Sequence, residues 1–337
     1  MNQVSGIDRR FEAFVSKYNE PGYDFNVVIA RLFVGLFFVW KLLSRDWGFF
    51  GTVPESMFYF YPYELYAVGN HDYMLWTGLP VLTEVLTFHW IHFFIPHPGV
   101  EVLRIVQGIG IVLSFCFALF GSGPKNILLI SLYSVLVYLW GYLFMMGQDI
   151  DAVYLYFGIL IAIGISTFRD EPVWRIHKIY RHAPNVAAGR SISNVILVFI
   201  FYYFASGVKK LTDLNPLEWF HFDLIEGIEE HAIRVAHGWT GTFDIFQYLH
   251  GLYFLDYLGP PLVYSSHLLV PIVFFRRNTI VRFFIFYALF HVLSFGVGIS
   301  FTGYIPVWLT IFPHRENLAW IGARLEKMRS LSAVRLR

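Results

Sequence analysis

Eight apolar stretches follow one another along this chain of 337 residues, at 25–43, 100–120, 126–146, 152–168, 192–211, 257–275, 280–298 and 299–312. A helix that crosses a bilayer needs about 20 mostly apolar residues, and it must pair its backbone N–H and C=O groups within itself because hydrocarbon offers no partner. A succession of such runs predicts an all-α fold, a polytopic membrane bundle of about eight transmembrane helices. The stretch 76–96 is also apolar, but Pro80, Glu84, His89, His92 and Pro96 interrupt it, and a re-entrant or interfacial helix is expected there. The charged fraction is 15%, against about 25% in a soluble domain, and 56% of residues are hydrophobic. A net charge of +1 excludes a basic face spread over the whole molecule, so no nucleic-acid partner is expected. The single cysteine, Cys116, excludes an intrachain disulfide framework, a Cys-rich zinc site and a CxxC redox centre.

Basic residues orient the bundle, because short cytoplasmic loops are enriched in Lys and Arg. Arg169, Arg175, Lys178, Arg181 and Arg190 lie between the fourth and fifth stretches, and Arg276, Arg277 and Arg282 between the sixth and seventh. Arg315, Arg324, Lys327, Arg329, Arg335 and Arg337 follow the eighth. With these placed inside, both termini are cytoplasmic and the compartment expected is an inner (plasma) membrane. Residues 1–24 then form a cytoplasmic segment, which holds Arg9, Arg10, Lys17 and four acids with no continuous apolar core, so a cleavable signal peptide is not expected there. The membrane domain runs over 25–313, with outer-face loops at 44–99 and 212–256, and 314–337 is a basic cytoplasmic tail. Those outer segments are poor in Lys and Arg, and rich in acids and histidines.

Ionisable groups inside spans are costly, which makes each a candidate for function. Arg31, near the inner end of the first span, is read as an anchor whose charged tip snorkels to the interface. Lys41 and Arg45 share one face at the outer end of that span. Glu101 and Arg104 open the second span from the same side, Gln148, Asp149 and Asp151 fill the outer turn before the fourth, and Lys209 and Lys210 end the fifth. These charges predict a polar pocket open to the outer face, with Lys41, Arg45, Arg104 and Lys209 as cofactor-binding cations. The alternative reading is a set of ion pairs that hold helix ends together. His291 lies eleven residues into the seventh span, about 16 Å deep, where imidazole serves either as a proton-transfer group or as a structural hydrogen-bond partner. The pair His89-x-x-His92, with Glu230, His231 and His237, has ligand types without a metal-site pattern, and no metal is predicted.

The segment Tyr202-Tyr203-Phe204-Ala205-Ser206-Gly207-Val208-Lys209-Lys210-Leu211 resembles the aromatic-rich span of the vitamin K-dependent gamma-carboxylases that ends in Gly-Val-Lys-Lys-Leu, a span shared with the wider horizontally transferred transmembrane (HTTM) domain family. Phe290-His291-Val292, Ser294-Phe295-Gly296 and the run to Ile311-Phe312-Pro313 are similar to that family's late His-containing helix and the next span. The resemblance implies that Lys210 matches the lysine that deprotonates a hydroquinone, and His291 the histidine beside it. It also implies a quinol or vitamin K-like hydroquinone as cofactor. Where the carboxylases carry Asn-His in the turn before the fourth span, this chain reads Gln148-Asp149-Ile150-Asp151, so Asp149 or Asp151 is the candidate proton acceptor. The large lumenal substrate-binding domain of those enzymes is expected to be missing.

Two functions of different class follow. One is a membrane enzyme performing quinol-linked deprotonation and oxidation, or peptide maturation, at the outer leaflet. The other is a non-catalytic subunit or scaffold whose outer-face loops, above all the aromatic 47–76, hold a protein or peptide partner. Membrane lipid is the surrounding partner in either case.

Overall fold

The computed structural model describes residues 6–44, 48, 51–52, 99–121, 151–166, 169–213, 254–296 and 304–335. Among these the regular elements are helices, joined at one point by a two-residue antiparallel bridge between Gly22 and Asn185. In chain order they are α1 (Gly6–Tyr18), α2 (Asp24–Leu43), α3 (Val100–Phe120), α4 (Asp151–Gly164), the single turn α5 (Ile176–Ile179), α6 (Val186–Asp213), α7 (Phe254–Leu269), the single turn α8 (Ile272–Phe275), α9 (Ile280–Gly296), α10 (Tyr304–Ile311) and α11 (His314–Arg335). Among the described residues three helices are long and apolar enough to cross a membrane: α2, α3 and the Val186–Ala205 part of α6. The predicted stretch 126–146 and most of both outer-face loops lie outside the described residues.

The second stretch forms a helix over the residues expected, and the first differs by one residue at its start. Elsewhere the boundaries differ for physical reasons. The sixth stretch is not one helix: it stops at Leu269 and resumes at Ile272, because Pro271 has no N–H to donate and disfavours helical geometry in the residue before it. The fifth begins six residues earlier than the apolar run, at Val186, because Asn185 caps it by accepting the Ala188 N–H on Oδ1 at 2.8 Å. The eighth is helical over Tyr304–Ile311 among its described residues. Residues before and after the predicted spans also fold, as α1 and α11.

Helix α2 is the centre of the bundle, packing on α3, α4, α6 and α10. It meets α3 closely because Gly110, Ser114 and Ala118 recur every fourth residue and are all buried. A side chain added at Gly35 would run into the Ser114 carbonyl oxygen and Ala118. This is the small-residue packing that brings helix backbones together without a hydrophobic driving force. The opposite face of α3 exposes Val102, Ile105, Ile109 and Val112, an apolar stripe at helical spacing that suits lipid rather than water. Helix α4 packs in turn on α6 with Gly158 against Val198, and Phe37 of α2 stacks on Tyr156 of α4 at 3.6 Å between ring centres.

One end of the bundle gathers the start of α2, the end of α3, the start of α6 and the start of α11, together with the exposed Arg169, Arg175, Lys178, Arg181 and Arg190. At this basic end residues 20–22 cross directly over the first turn of α6, through the Gly22–Asn185 bridge, with N···O distances of 3.0 and 2.8 Å. Gly189 makes the crossing possible, since a side chain there would collide with the Glu20 carbonyl oxygen. Gly189→Ala is therefore expected to lower stability by about 1–3 kcal/mol, as overpacking does. Gly322→Ala on α11, where no atom lies within 4 Å of the added carbon, is expected to be neutral or slightly stabilising. Thermal unfolding midpoints of the two variants in one detergent test the contrast.

Candidate functional site

The structure brings several of the predicted outer-face positions to one end of the bundle, opposite the basic end. Gln107 Nε2 donates to the Leu42 carbonyl at 2.6 Å, which fixes the antiparallel register of α2 and α3 and places Lys41 and Arg104 at the same end. The Lys41 ammonium sits 4.8 Å from the Trp40 ring and 5.8 Å from Phe37, an arrangement favoured by the negative faces of aromatic rings. Arg104 is exposed and lies along the backbone of Gly48. Asp151 is the first residue of α4, seven residues from the Gly158–Val198 contact, and Lys210 lies twelve residues beyond Val198 on α6. At about 1.5 Å per residue, positions 151 and 210 are at the same end, about 8 Å apart in height. Lys209 precedes Lys210 near the end of α6, and His291 lies five residues before the last residue of α9. Of Asp151, Lys209, Lys210 and His291 the structure describes the backbone positions. Arg45 and Asp149 lie outside the described residues, as do His89, His92, Glu230, His231 and His237.

Below positions 210 and 291 is a layer of aromatic side chains that composition alone did not single out. Tyr203 of α6, His267 of α7, Tyr287 of α9 and Trp308 of α10 meet there, all buried. Trp308 Nε1 donates to the Tyr203 hydroxyl at 3.0 Å, and the Ser266 and Tyr287 hydroxyls share a hydrogen bond at 2.8 Å. The Tyr287 ring stacks on Trp308 at 4.8 Å and on His267 at 5.6 Å. Phe199, one turn before Tyr203, closes the layer against Trp308 at 4.6 Å. The polar tips of Trp308, Tyr203 and Tyr287 are thus paired inside an apolar layer, as buried Tyr and Trp require. One turn beyond Tyr203, Gly207 lets α6 approach the His267 side chain of α7. The pattern 199, 203, 207, 210 marks one face of α6, and 283, 287, 291 marks one face of α9. Both faces converge on this layer. By helical rise position 210 lies about 10 Å above Tyr203 and position 291 about 6 Å above Tyr287.

At the basic end the structure corrects one expectation. Arg31 does not snorkel: its side chain is fully buried. It pairs with the Asp170 carboxylate and donates to the Glu171 carbonyl at 3.0 Å and the Ala118 carbonyl at 3.5 Å. Gly121, at φ +99°, ends α3 beside this pair, where a side chain would touch both Asp170 and Arg31. The signal in the sequence was the acidic pair Asp170-Glu171 inside an otherwise basic loop. Next to it His182 lies between two buried carboxylates, with Nδ1 3.1 Å from Asp24 Oδ2 and Nε2 3.8 Å from Glu171 Oε1. Asn185 Nδ2 donates to Asp24 Oδ1 at 3.0 Å. These groups pair among themselves across α2, α6 and the loop before it, which identifies them as the lock of the bundle rather than a reactive site.

No family model, curated protein or solved structure matches the chain.

Two predictions come from the basic end. Removing one member of a buried ion pair strands the other, so Arg31→Met is expected to cost about 3–5 kcal/mol, and Arg31→Met with Asp170→Leu clearly less than the sum of the two single changes. A double-mutant cycle by thermal or denaturant unfolding measures the difference. His314, at the start of α11, places Nε2 2.8 Å from the Leu309 carbonyl, and it packs against Phe33 and Phe312. Burial lowers its pKa below the ordinary imidazole value, with the Leu309 carbonyl and Glu316 pulling the other way. The neutral ring therefore contributes stability above about pH 6.5, and that contribution is lost as pH falls through the lowered pKa. Unfolding midpoints measured from pH 7.5 to 5 (roughly the window set by the ordinary imidazole value) are expected to fall more steeply for wild type than for His314→Gln. Parallel profiles would show that His314 does not titrate in this way.

Proposed function

We propose that the chain is a polytopic protein of about eight spans, built like the HTTM and gamma-carboxylase membrane domains, and that it binds a quinol at the end of the bundle opposite the basic face. Lys210 is the base that accepts the hydroquinone proton, His291 the hydrogen-bond partner beside it, and Asp149 or Asp151 the charge partner. Lys41, Arg45, Arg104 and Lys209 draw an anionic or polar head toward the site. In this reading the opposite end faces the outside of the plasma membrane and both termini are cytoplasmic. Quinol-linked oxidation or peptide maturation at the outer leaflet is the activity proposed.

The observation that supports this reading is the helical register. Positions 210 and 291 continue the two faces on which Tyr203 and Tyr287 meet, so a lysine and a histidine head one seam with an aromatic floor. A flat apolar ring with two oxygens needs that combination of aromatic walls and a few polar groups at one rim. A hydroquinone oxygen is a weak acid, and a lysine activated by apolar surroundings or a cationic neighbour is the general base such chemistry uses.

The test is quinone retention by protein purified in mild detergent, comparing wild type with Lys210→Ala and His291→Ala. Wild type is expected to retain a quinone that both variants lose while keeping the wild-type unfolding midpoint. If wild type retains none, and the variants bind added quinol as wild type does, the proposal fails and the aromatic seam is packing alone.

A further inference from the structure

The most informative surface outside the proposed site is on α1, which the sequence placed in an aqueous cytoplasmic segment. Its apolar residues Phe11, Phe14, Val15 and Tyr18 share one stripe about 100° wide, by helical periodicity. Half of that stripe is used inside the protein. Phe14 stacks on Phe274 of α8 at 5.0 Å, and the Tyr18 hydroxyl donates to Asn194 of α6 at 2.9 Å. Further bonds fix the end of the helix: Arg277 donates to the Lys17 carbonyl at 3.3 Å, and Ser193 Oγ to the Tyr18 carbonyl at 3.1 Å. The other half faces outward, with Phe11 66% exposed and Val15 39%.

The outward half does not stand alone. Alpha-helix α1 packs on α8, and the exposed Leu269, Ile272 and Phe275 around the α7–α8 break carry the apolar surface up toward α7. The basic side chains Arg9 and Arg10 on α1 and Arg276 after α8 are exposed at this end of the bundle. A docked helix with one apolar stripe divided between protein and surroundings, continuous with the flank of an apolar helix and accompanied by arginines, has the design of an interfacial membrane element. Charge complementarity selects the occupant, because anionic lipid attracts basic side chains close to its surface.

We infer that α1 lies in the membrane interface as a wedge, with Phe11 and Val15 among acyl chains and Arg9, Arg10 and Arg276 on the headgroups of anionic phospholipid. The inference rests on the membrane-embedded reading of the bundle, and the experiment separates the two. The full chain carrying Cys116→Ser and one fluorescently labelled cysteine is placed in nanodiscs of phosphatidylcholine and phosphatidylglycerol, with bromine near the headgroup end of the acyl chains. A label at Phe11→Cys is expected to lose most of its emission to the bromines, as is a control label at Val112→Cys on α3. A label at Ala13→Cys, about 180° around α1 from the middle of the Phe11 and Val15 pair, keeps its emission and is quenched by iodide in the water. Quenching of the Phe11→Cys label by iodide alone, with the Val112→Cys control quenched by bromine, overturns the wedge and leaves the bundle embedded. Failure of the Val112→Cys control as well overturns the membrane reading beneath it. The headgroup claim is tested on detergent-solubilised protein. Arg9→Gln and Arg10→Gln are each expected to reduce the preference for phosphatidylglycerol over phosphatidylcholine roughly fivefold, the effect of one basic side chain near an anionic surface. An unchanged preference overturns the headgroup contact.

Discussion

A single guanidinium joins three parts of the chain that are far apart in sequence. Arg31 sits seven residues into α2, and reaches the end of α3 through Ala118 and the segment before α5 through Asp170 and Glu171. A fully buried cation is tolerated only when its donors are matched by a counter-charge and carbonyl oxygens, since an isolated charge in an apolar medium is prohibitively costly. That requirement sets heights. Helix α3 must end where its last carbonyls meet Arg31, and the loop after α4 must dip far enough to bring Asp170 in. Once those heights are fixed, Gly35 falls opposite Ser114 and Ala118, and α2 and α3 close on one another. The ion pair therefore specifies register more than it adds stability, because a well-packed apolar replacement of similar volume can be as stable.

Register set at the basic end is carried through rigid helices to the middle of the bundle. There Tyr203, His267, Tyr287 and Trp308 arrive from four helices and interlock by stacking and by two hydrogen bonds between side chains. A slip of one residue in any of the four would turn its ring through about 100° and leave a buried N–H or O–H without its partner. The layer thus transmits alignment to the positions above it. Lys210 and His291 inherit their places on the seam from Tyr203 and Tyr287, two turns and one turn below.

The long apolar runs were legible because their signal is summed over some twenty residues. The bounds of α3 and the start of α2 are close to those expected from hydropathy alone. What the runs could not show was where a helix breaks or extends for local reasons, as at Pro271 and at the Asn185 cap. They also misjudged Arg31, since a lone arginine in an apolar stretch has the same sequence signature whether it snorkels or is paired. The deciding partner, Asp170, is 139 residues away. Helices α1 and α11 escaped notice because their apolar residues are few, and α1 divides its stripe between two surroundings. That positions 41, 104, 151 and 210 share one end of the bundle follows from the way α2 packs on α3 and α4 on α6. The aromatic layer was not legible, because a sequence with 36 Phe, 21 Tyr and 10 Trp gives no means of telling which rings meet.

The acids at the basic end have a further electrostatic meaning. The N-termini of α2, α6 and α11 converge there, and each carries unpaired N–H groups and the positive end of a helix dipole. Asp24 answers the first turn of α2 and Asn185 the start of α6, joined to each other by a hydrogen bond. Glu316, in the first turn of α11, accepts from Asn26 at 2.9 Å, while Asn26 Oδ1 accepts the Arg315 N–H. Asp170 and Glu171 turn toward Arg31, Arg169 and His182. Asp24 is thus buried against His182 and Asn185 and Glu171 against Arg169, whereas Arg9, Arg10, Lys178, Arg181, Arg190, Arg276 and Arg282 remain at the surface. The potential outside this face is consequently more positive than the near-neutral charge of the chain suggests. Buried acids hold the helix ends together and leave the arginines exposed, and it is this separation of charge, rather than net charge, that an anionic membrane surface would meet.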